Sequence, residues 1–277
     1  MINKKVIICT TVKDESKNLH KFFKIIDNLI YQFEDYHLIF VESDSTDNSF
    51  EKINNYLGSR KGNLIKRDFL KTYNRIHKLE ICRNEYLDYI KNDAVIKNFD
   101  YLIVMDADGI NNRININKIL NSIKKENWNG IFANQNFFYY DIFALRINDL
   151  ITTNFISNIK NDIKNKKYKN IRENIFDNLT KFFYVNKLFN ERYIAVKSAF
   201  GGFGIYRLKI ILEFKYHSEN GKYCEHVGLN ESIYNKYGGL FIDKNLTNSI
   251  GINKHTINGY LCSKSNFLAE RFISKFL

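Results

Sequence analysis

Short apolar runs alternate with helical segments through the first half of the chain, and this alternation constrains the fold more than any other feature. The runs are rich in β-branched residues, as in strands covered on both faces; they occupy residues 5–10 (KVIICT), 37–41 (HLIFV), 100–105 (DYLIVM) and 129–134. Segments with apolar side chains at helical spacing occupy residues 17–32, 50–57, 74–91 and 115–125. Strands that alternate with helices predict an α/β fold with a mostly parallel central sheet flanked by helices.

The second half is less regular. Residues 148–192 contain no glycine and are rich in Asn, Lys, Ile and Phe, which predicts a helical or polar insertion. We expect a strand at 193–197, a glycine-containing loop at 198–204, and a helix that begins near 224 and ends at Gly238. The last thirty residues are expected to form a tail that ends in a short amphipathic stretch. Because no linker or internal repeat interrupts the 277 residues, a single domain with an insertion is predicted.

Composition excludes several classes of protein. Hydrophobic residues make up 44% and charged residues 26%, which is typical of a globular protein. No apolar run approaches the roughly 20 residues of a membrane span, and the basic N-terminus leads into charged residues without a cleavage site, so a cytoplasmic protein is expected. The four cysteines are too scattered for a zinc ribbon, and Cys9 and Cys82 lie in apolar patterns that predict burial.

The net charge of +12 suggests anionic partners. Most basic residues are scattered, however, as codon bias in an AT-rich genome would leave them, and no nucleic-acid partner is predicted. One dense stretch, residues 159–172, and the C-terminal tail are candidates for contact with an anionic membrane or acceptor. An ordinary solvated helix face explains both equally well.

The motif VMDADG at 104–109 carries the strongest chemical signal. In an open α/β sheet, ligands bind beyond the carboxyl ends of the strands, which is where Asp106 and Asp108 are expected. Two carboxylates one residue apart suit a hard divalent cation that keeps waters and bridges phosphates. A strand-to-turn junction would also favour Asp and Gly here.

A second polar motif, VESDSTDNS at 41–49, also follows a strand. Its side chains can hydrogen-bond a base or ribose. They can equally cap the helix that follows, with Ser45 or Thr46 as the N-cap, and both roles are compatible.

The order of TTVKDESKNL (10–19), VESDSTDNS (41–49), RN (83–84) and VMDADG (104–109) resembles the GT-A glycosyltransferases of the family 2 type. Their pattern is P-x-x-N-E, D-D-G-S-x-D, A-R-N and D-x-D; here Thr11 replaces the proline and Asp14 the asparagine, while Glu15 is kept. Later blocks, at 128–146, 198–207 and 223–230, resemble the branch of the fungal capsule mannosyltransferases. The resemblance covers residues 5–147 and 195–245.

The resemblance implies a GT-A, Rossmann-like fold with a nucleotide-sugar half at about 1–110 and an acceptor half at about 111–277. Asp106 and Asp108 would hold Mn²⁺ or Mg²⁺ on the diphosphate of the donor. The nucleotide sugar would be bound by residues from all four motifs, namely Thr11, Glu15, Glu42, Asp44, Arg83, Asp106 and Ala107. For Arg83, a surface ion pair on a helix is the alternative.

The resemblance also places an acceptor site. Asp141, in the apolar run YYDIFALR, would contact sugar hydroxyls, with Tyr140 as a stacking face; a structural pair between Asp141 and Arg146 is the alternative. Gly201 and Gly202 would allow close backbone approach to the acceptor, or would form an ordinary turn.

CEHVGLN at 224–230 resembles the E-D-x-x-L helix start that carries the catalytic base in inverting enzymes. Glu225 matches the Glu, but His226 replaces the Asp, so either side chain is a candidate base. His226 and His255 are both candidates for a late metal ligand. Glu225 and His226 are also compatible with an ordinary helix N-terminus that has no catalytic role.

These observations predict a metal-dependent glycosyltransferase that moves a sugar from a nucleoside diphosphate sugar to a hydroxyl of a glycan, glycolipid or glycoprotein. Two rivals remain. A sugar-phosphate nucleotidyltransferase would also place acidic residues on an α/β sheet, but would carry a glycine-rich basic loop after the first strand. A nucleic-acid-binding protein would fit the charge, but not the acidic cluster.

Overall fold

The computed structural model describes residues 2–68, 72–137, 139, 141–148, 150–153, 165, 185 and 189–250. In this part of the chain the strands are β1 (Ile2–Val12), β2 (Phe33–Ser43), β3 (Gly62–Arg67), β4 (Tyr101–Met105), β5 (Gly130–Gln135), β6 (Tyr193–Ala195), β7 (Phe203–Arg207) and β8 (Leu240–Ser249). The helices are α1 (Leu19–Ile30), α2 (Ser49–Leu57), α3 (Arg75–Asn92), α4 (Ile116–Ile123), α5 (Leu208–Ile211) and α6 (Glu225–Tyr237), with a short 3₁₀ helix at Ile96–Asn98.

The eight strands form one sheet in the order β3-β2-β1-β4-β7-β5-β8-β6. Strands β7 and β6 run antiparallel to their neighbours, and the other six run in one direction. The predicted mostly parallel α/β sheet is therefore confirmed. Because β7 is antiparallel, its first residue, Phe203, pairs with the last residue of β4, Met105. The glycine loop before β7 thus lies at the same sheet edge as the carboxyl ends of β1, β2 and β4.

Successive side chains along each strand point to opposite faces of the sheet, and each face forms its own hydrophobic layer. In β1, Ile7 and Cys9 pack in one buried cluster, while Val6 and Ile8 pack in the other. Helix α1 buries Leu19, Phe22 and Ile26 against the second layer. Helix α3 buries Cys82, Tyr86 and Leu87 in the first. The continuous apolar runs of the sequence follow from this two-sided burial. Cys9 and Cys82 are buried, as predicted.

Four strands differ from the sequence-based expectation. The sequence pattern predicts no element at residues 63–67, but Gly62–Arg67 forms the edge strand β3, whose half-exposed residues dilute the apolar signal. Strand β4 is consequently the fourth strand, not the third. Strand β7 follows a glycine turn that hid it, and β8 alternates apolar with polar residues in what was expected to be the approach to a tail. Strand β6 is shorter than the expected 193–197.

Most of the predicted insertion at 148–192, including the basic stretch at 159–172, lies outside the described residues, as does the C-terminal tail. The division into two halves and the proposed membrane contact therefore stay predictions. None of the helices in the described part of the chain is long and apolar enough to cross a membrane.

Candidate active site

The polar site begins where β4 ends. The backbone N–H of Asp106 donates to the carbonyl of Gly202 at 2.9 Å, so the strand end and the glycine loop are tied together. The side chain of Asn111 donates to the carbonyls of both residues, at 2.9 Å each. Asp108 lies further out and accepts from the backbone N–H of Ile110 at 3.1 Å. The Asp-x-Asp pair therefore lies on a backbone that its neighbours hold in place.

Arg83 joins this strand end to the first residue of α6. It lies on α3 and is buried, with a side chain that is 4% exposed. Its Nε donates to Glu225 Oε1 at 3.0 Å and its Nη2 to Asp106 Oδ1 at 3.3 Å. The guanidinium also lies over the rings of Phe200 and Tyr216, at 5.1 and 5.8 Å from their centroids. Arg83 is thus a buried bridge and not the surface ion pair that was its alternative.

Acidic side chains outnumber this one arginine. Burial raises the pKa of Asp106 from 3.8 to about 7; Arg83 lowers it, and Asp108 and Asp141 raise it further. Burial likewise raises the pKa of Asp141 to about 6, with a contribution from Glu225. The structure therefore brings Asp106, Asp108, Asp141 and Glu225 within electrostatic reach of one another. An excess of negative charge at a strand's carboxyl end favours a bound cation.

Asp141 does not pair with Arg146. Its Oδ1 accepts from the backbone N–H of Ala144 at 3.3 Å, whereas Arg146 donates to the carbonyls of Phe143 and Leu145. The alternative of a structural Asp141–Arg146 pair is therefore wrong. Among the described residues no cation lies within ion-pair distance of the Asp141 carboxylate.

His226 lies beside the site but faces inward. Its ring stacks on Phe200 with centroids 3.8 Å apart and meets Tyr216 edge-on at 5.4 Å. Burial, together with Arg83, lowers the pKa of His226 well below its usual range, so the imidazole is neutral. Both ring nitrogens are buried without a hydrogen-bond partner in the described part of the chain. Its Nε2 is 3.9 Å from Glu225 Oε1.

The two loops expected to hold the nucleotide are cross-linked. Asp14 has a positive φ of 53° and accepts from the backbone N–H of Thr46 at 2.7 Å. Ser49 Oγ accepts from the backbone N–H of Glu15 at 2.9 Å, and Asp47 accepts from that of Ser16 at 3.0 Å. These bonds fix the ends of β1 and β2 relative to each other. The predicted N-cap at Ser45 or Thr46 is wrong, because α2 begins later and its N-cap is Asn48, while the Ser45 and Thr46 groups bond Asp14.

The predicted nucleotide-binding side chains lie along this pair of loops. Glu42 is buried and accepts from the backbone N–H of Ser45 at 2.8 Å. Asp44, at a positive φ of 52°, accepts from Lys78 Nζ at 2.9 Å. Burial raises the pKa of Glu15, to which Asp108 also contributes, so Glu15 lies within electrostatic reach of the Asp-x-Asp pair. Thr11 is half-buried and pairs with Val41 in the β1–β2 register.

The glycine loop is set by packing. Gly201 and Gly202 have φ of +64° and +81°, a region that side chains disfavour. A Cβ at Gly201 would lie 2.8 Å from the carbonyl oxygen of Ala133, and one at Gly202 would lie 2.5 Å from Ile110 Cγ2. Packing within the protein therefore requires glycine at both positions. Their contact with an acceptor stays a prediction.

Three buried amides that the sequence analysis missed support this loop. Asn248 Nδ2 donates to Asn111 Oδ1 at 3.0 Å and to the carbonyl of Gly201 at 2.8 Å. Gln135 Nε2 donates to the same carbonyl at 3.1 Å and to Asn248 Oδ1 at 2.9 Å. No local motif marks these residues, because they come from β5, β8 and the segment after β4, and meet only in the folded chain.

Three other predicted residues contribute less. Ala107 points its side chain into the second hydrophobic cluster, so any contact with a nucleotide would come from its backbone. Tyr140 and His255 lie outside the described residues. Within the described ranges no group of three His, Cys, Asp or Glu side chains forms a cluster that could hold a metal ion.

A family model named Glycosyl transferase family 2 matches residues 6–194, which is more than half of the chain and includes both carboxylate motifs. The chain belongs to glycosyl transferase family 2. The match is to the family as a whole, so the capsule mannosyltransferase branch stays a prediction. No curated protein matches the chain by sequence at a significant level.

Solved structures share the fold of this family 2 chain at low identity. The mannosyltransferase PcManGT from Pyrobaculum calidifontis, in complex with GDP-Man and Mn²⁺, is 10% identical with a TM-score of 0.53; the match covers 95% of this chain and 61% of that one. Glucosyl-3-phosphoglycerate synthase from Mycobacterium tuberculosis, in complex with UDP, is 8% identical with a TM-score of 0.51, over 94% and 80%. TarS from S. aureus, in complex with UDP-GlcNAc, is 11% identical with a TM-score of 0.50, over 88% and 57%. The chain thus spans less than two thirds of the PcManGT and TarS chains.

Proposed function

We propose that this family 2 protein transfers a sugar from a nucleoside diphosphate sugar to a hydroxyl of a glycan, glycolipid or glycoprotein. The observation that carries the proposal is the acidic pair Asp106 and Asp108 at the carboxyl end of β4, inside a field of surplus negative charge. A diphosphate would be repelled from that position unless a cation were bound with it.

The donor set fits Mn²⁺ or Mg²⁺ shared with a phosphate. Such ions accept one or two carboxylates and complete their shell with water and phosphate oxygens, so three protein ligands are not required. Burial is the main cause of the raised pKa of Asp106, and Asp108 and Asp141 raise it further; a cation would offset the charge of these carboxylates. Asp106 and Asp108 would hold the ion, whose chemistry is to stabilise the charge that develops on the leaving diphosphate. The fold relative from Pyrobaculum was solved with GDP-Man and Mn²⁺, which is in line with this assignment.

The nucleoside would lie over the cross-linked ends of β1 and β2. Glu42 and Asp44 are held there by Ser45 and Lys78, and Thr11 and Glu15 flank them across the register. Because the two loops are joined by side-chain hydrogen bonds before any ligand arrives, little ordering entropy would be lost on binding.

Asp141 is the best-placed base. Glu225 is engaged by Arg83, and both nitrogens of His226 are buried behind Phe200, whereas Asp141 is half-buried and has no ion pair among the described residues. A pKa of about 6 leaves Asp141 ionised at neutral pH, yet basic enough to take a proton. It would accept the proton of the acceptor hydroxyl as that oxygen bonds to the anomeric carbon and the carbon–oxygen bond to the diphosphate breaks.

Ligand-induced stabilisation tests this proposal. The thermal midpoint would be measured with UDP, GDP or ADP, each with Mn²⁺, with Mg²⁺ or with EDTA. We expect one nucleotide to raise the midpoint in the presence of metal, and the Asp106→Ala variant to lose the effect. Asp100→Ala is the matched control, because Asp100 lies at the other end of the same strand. No midpoint shift with any nucleotide and metal would contradict the proposal.

A further inference from the structure

Arg83 contacts two carboxylates, and the two contacts differ in length and in exposure to water. The Glu225 contact is the shorter, at 3.0 Å, and both of its side chains are 4% exposed. The Asp106 contact is 3.3 Å, and the Asp106 side chain is 26% exposed. A buried charge-assisted hydrogen bond resists competition more than one that water can reach. The Asp106 end is therefore the one that a competing cation could replace.

The rings around Arg83 keep the guanidinium in place if Asp106 is lost as a partner. Phe200 and Tyr216 lie under it, and His226 stacks on Phe200 behind it. Glu225 begins α6, so the arginine connects the β4 end of the donor half to the first turn of a helix in the acceptor half. None of these contacts involves Asp106.

We infer that Arg83 is a positioning residue with two successive partners. Without a donor, it is the internal counter-ion of Asp106 and weakens cation binding there. When a cation and diphosphate engage Asp106, Arg83 retains Glu225 and so holds the start of α6 in place for the acceptor. This inference rests on the proposed function, because it takes Asp106 as the cation ligand.

The inference predicts that one variant gains affinity for Mn²⁺ and loses transfer activity. Replacing Arg83 removes a positive charge from beside Asp106, so Arg83→Gln should bind Mn²⁺ about tenfold more tightly than the wild type in the absence of nucleotide. The same variant should transfer sugar at least about tenfold more slowly, through kcat more than through the donor KM, because Glu225 loses its tether. A merely structural role would weaken both properties.

Mn²⁺ binding would be followed by electron paramagnetic resonance of the unbound ion, which needs no catalytic turnover. Arg83→Lys keeps the charge and should bind bare Mn²⁺ within about twofold of the wild type. Arg207→Gln is the matched control, since Arg207 is a partly buried arginine stacked over Trp128 at the end of β7, on the opposite edge of the sheet. It should leave Mn²⁺ binding unchanged.

A second measurement uses the wild type and does not depend on how a variant folds. In a crystal structure with Mn²⁺ and the preferred nucleoside diphosphate, Arg83 Nη2 should lie beyond about 4 Å from Asp106 while Nε keeps its bond to Glu225. Equal or weaker Mn²⁺ binding by Arg83→Gln, or an Arg83–Asp106 bond kept in that complex, overturns the inference alone. A wild type that binds no Mn²⁺ with any nucleoside diphosphate overturns the proposed function as well.

Discussion

Replacing Asp141 by Asn should stabilise the protein while it removes activity. The folded protein resists ionisation of this carboxyl, whose pKa rises from 3.8 to about 6 through burial and the nearby Glu225. Because the folded-state pKa is raised, ionisation of Asp141 at neutral pH lowers the free energy of unfolding. The penalty is absent below about pH 4, develops between about pH 4 and pH 6, and is constant above that.

The magnitude follows from the shift. About two pKa units correspond to about 3 kcal/mol of unfolding free energy. That shift already includes the hydrogen bond from the Ala144 N–H, which lowers the pKa, and partial solvent exposure reduces the free energy further. We therefore expect Asp141→Asn to be more stable than the wild type by about 1–2 kcal/mol at pH 8 and equal to it near pH 4.

Urea unfolding of both proteins at pH 4, 6 and 8 measures this difference, with Asp68→Asn as the control, because the Asp68 side chain is 77% exposed. Transfer by Asp141→Asn should fall by about 10²–10⁴-fold, as expected on losing a general base. A variant that is less stable than the wild type at pH 8 would refute the electrostatic reasoning. Unchanged transfer would refute the assignment of the base.

Three further perturbations test the scaffold around the site. Gly202→Ala should cost about 1–3 kcal/mol in urea unfolding, since a Cβ at a φ of +81° would meet Ile110. Asn248→Ala should cost about 2–3 kcal/mol, because buried partners on Asn111, Gln135 and Gly201 lose their bonds; a smaller loss would show that water replaces the amide. Although burial raises the pKa of Asp47, hydrogen bonds from Ser49 and Ser16 lower it to about 2, so its stabilisation should hold above about pH 4 and disappear by about pH 2. Pairs of wild type and Asp47→Ala unfolded across that range should converge at the acid end.

The sequence was sufficient for the strands that are buried on both faces. Strands β1, β2 and β4 have continuous apolar runs because each lies between two hydrophobic layers, and periodicity detects this directly. Strand β3 was missed because it is an edge strand with half-exposed residues. Strand β7 was missed because a turn with two glycines at positive φ immediately precedes it.

The site was predictable where it follows a strand, and less so where it depends on distant contacts. Asp106 and Glu42 could be placed at the sheet edge because the carboxyl ends of parallel strands meet there. The burial of Arg83 between Asp106 and Glu225 could not, since those partners are 23 and 142 residues away. The same holds for the amides of Asn111 and Asn248, which are 137 residues apart and occur in a chain full of asparagine.

The most direct test of the central claim is a donor panel. The protein would be incubated with each common nucleotide sugar, with and without Mn²⁺, and release of nucleoside diphosphate would be followed beside the Asp106→Ala, Asp108→Ala double variant. The account predicts slow, metal-dependent release from one donor by the wild type and none by the double variant. Release that persists in the double variant, or that is absent with every donor, would contradict it.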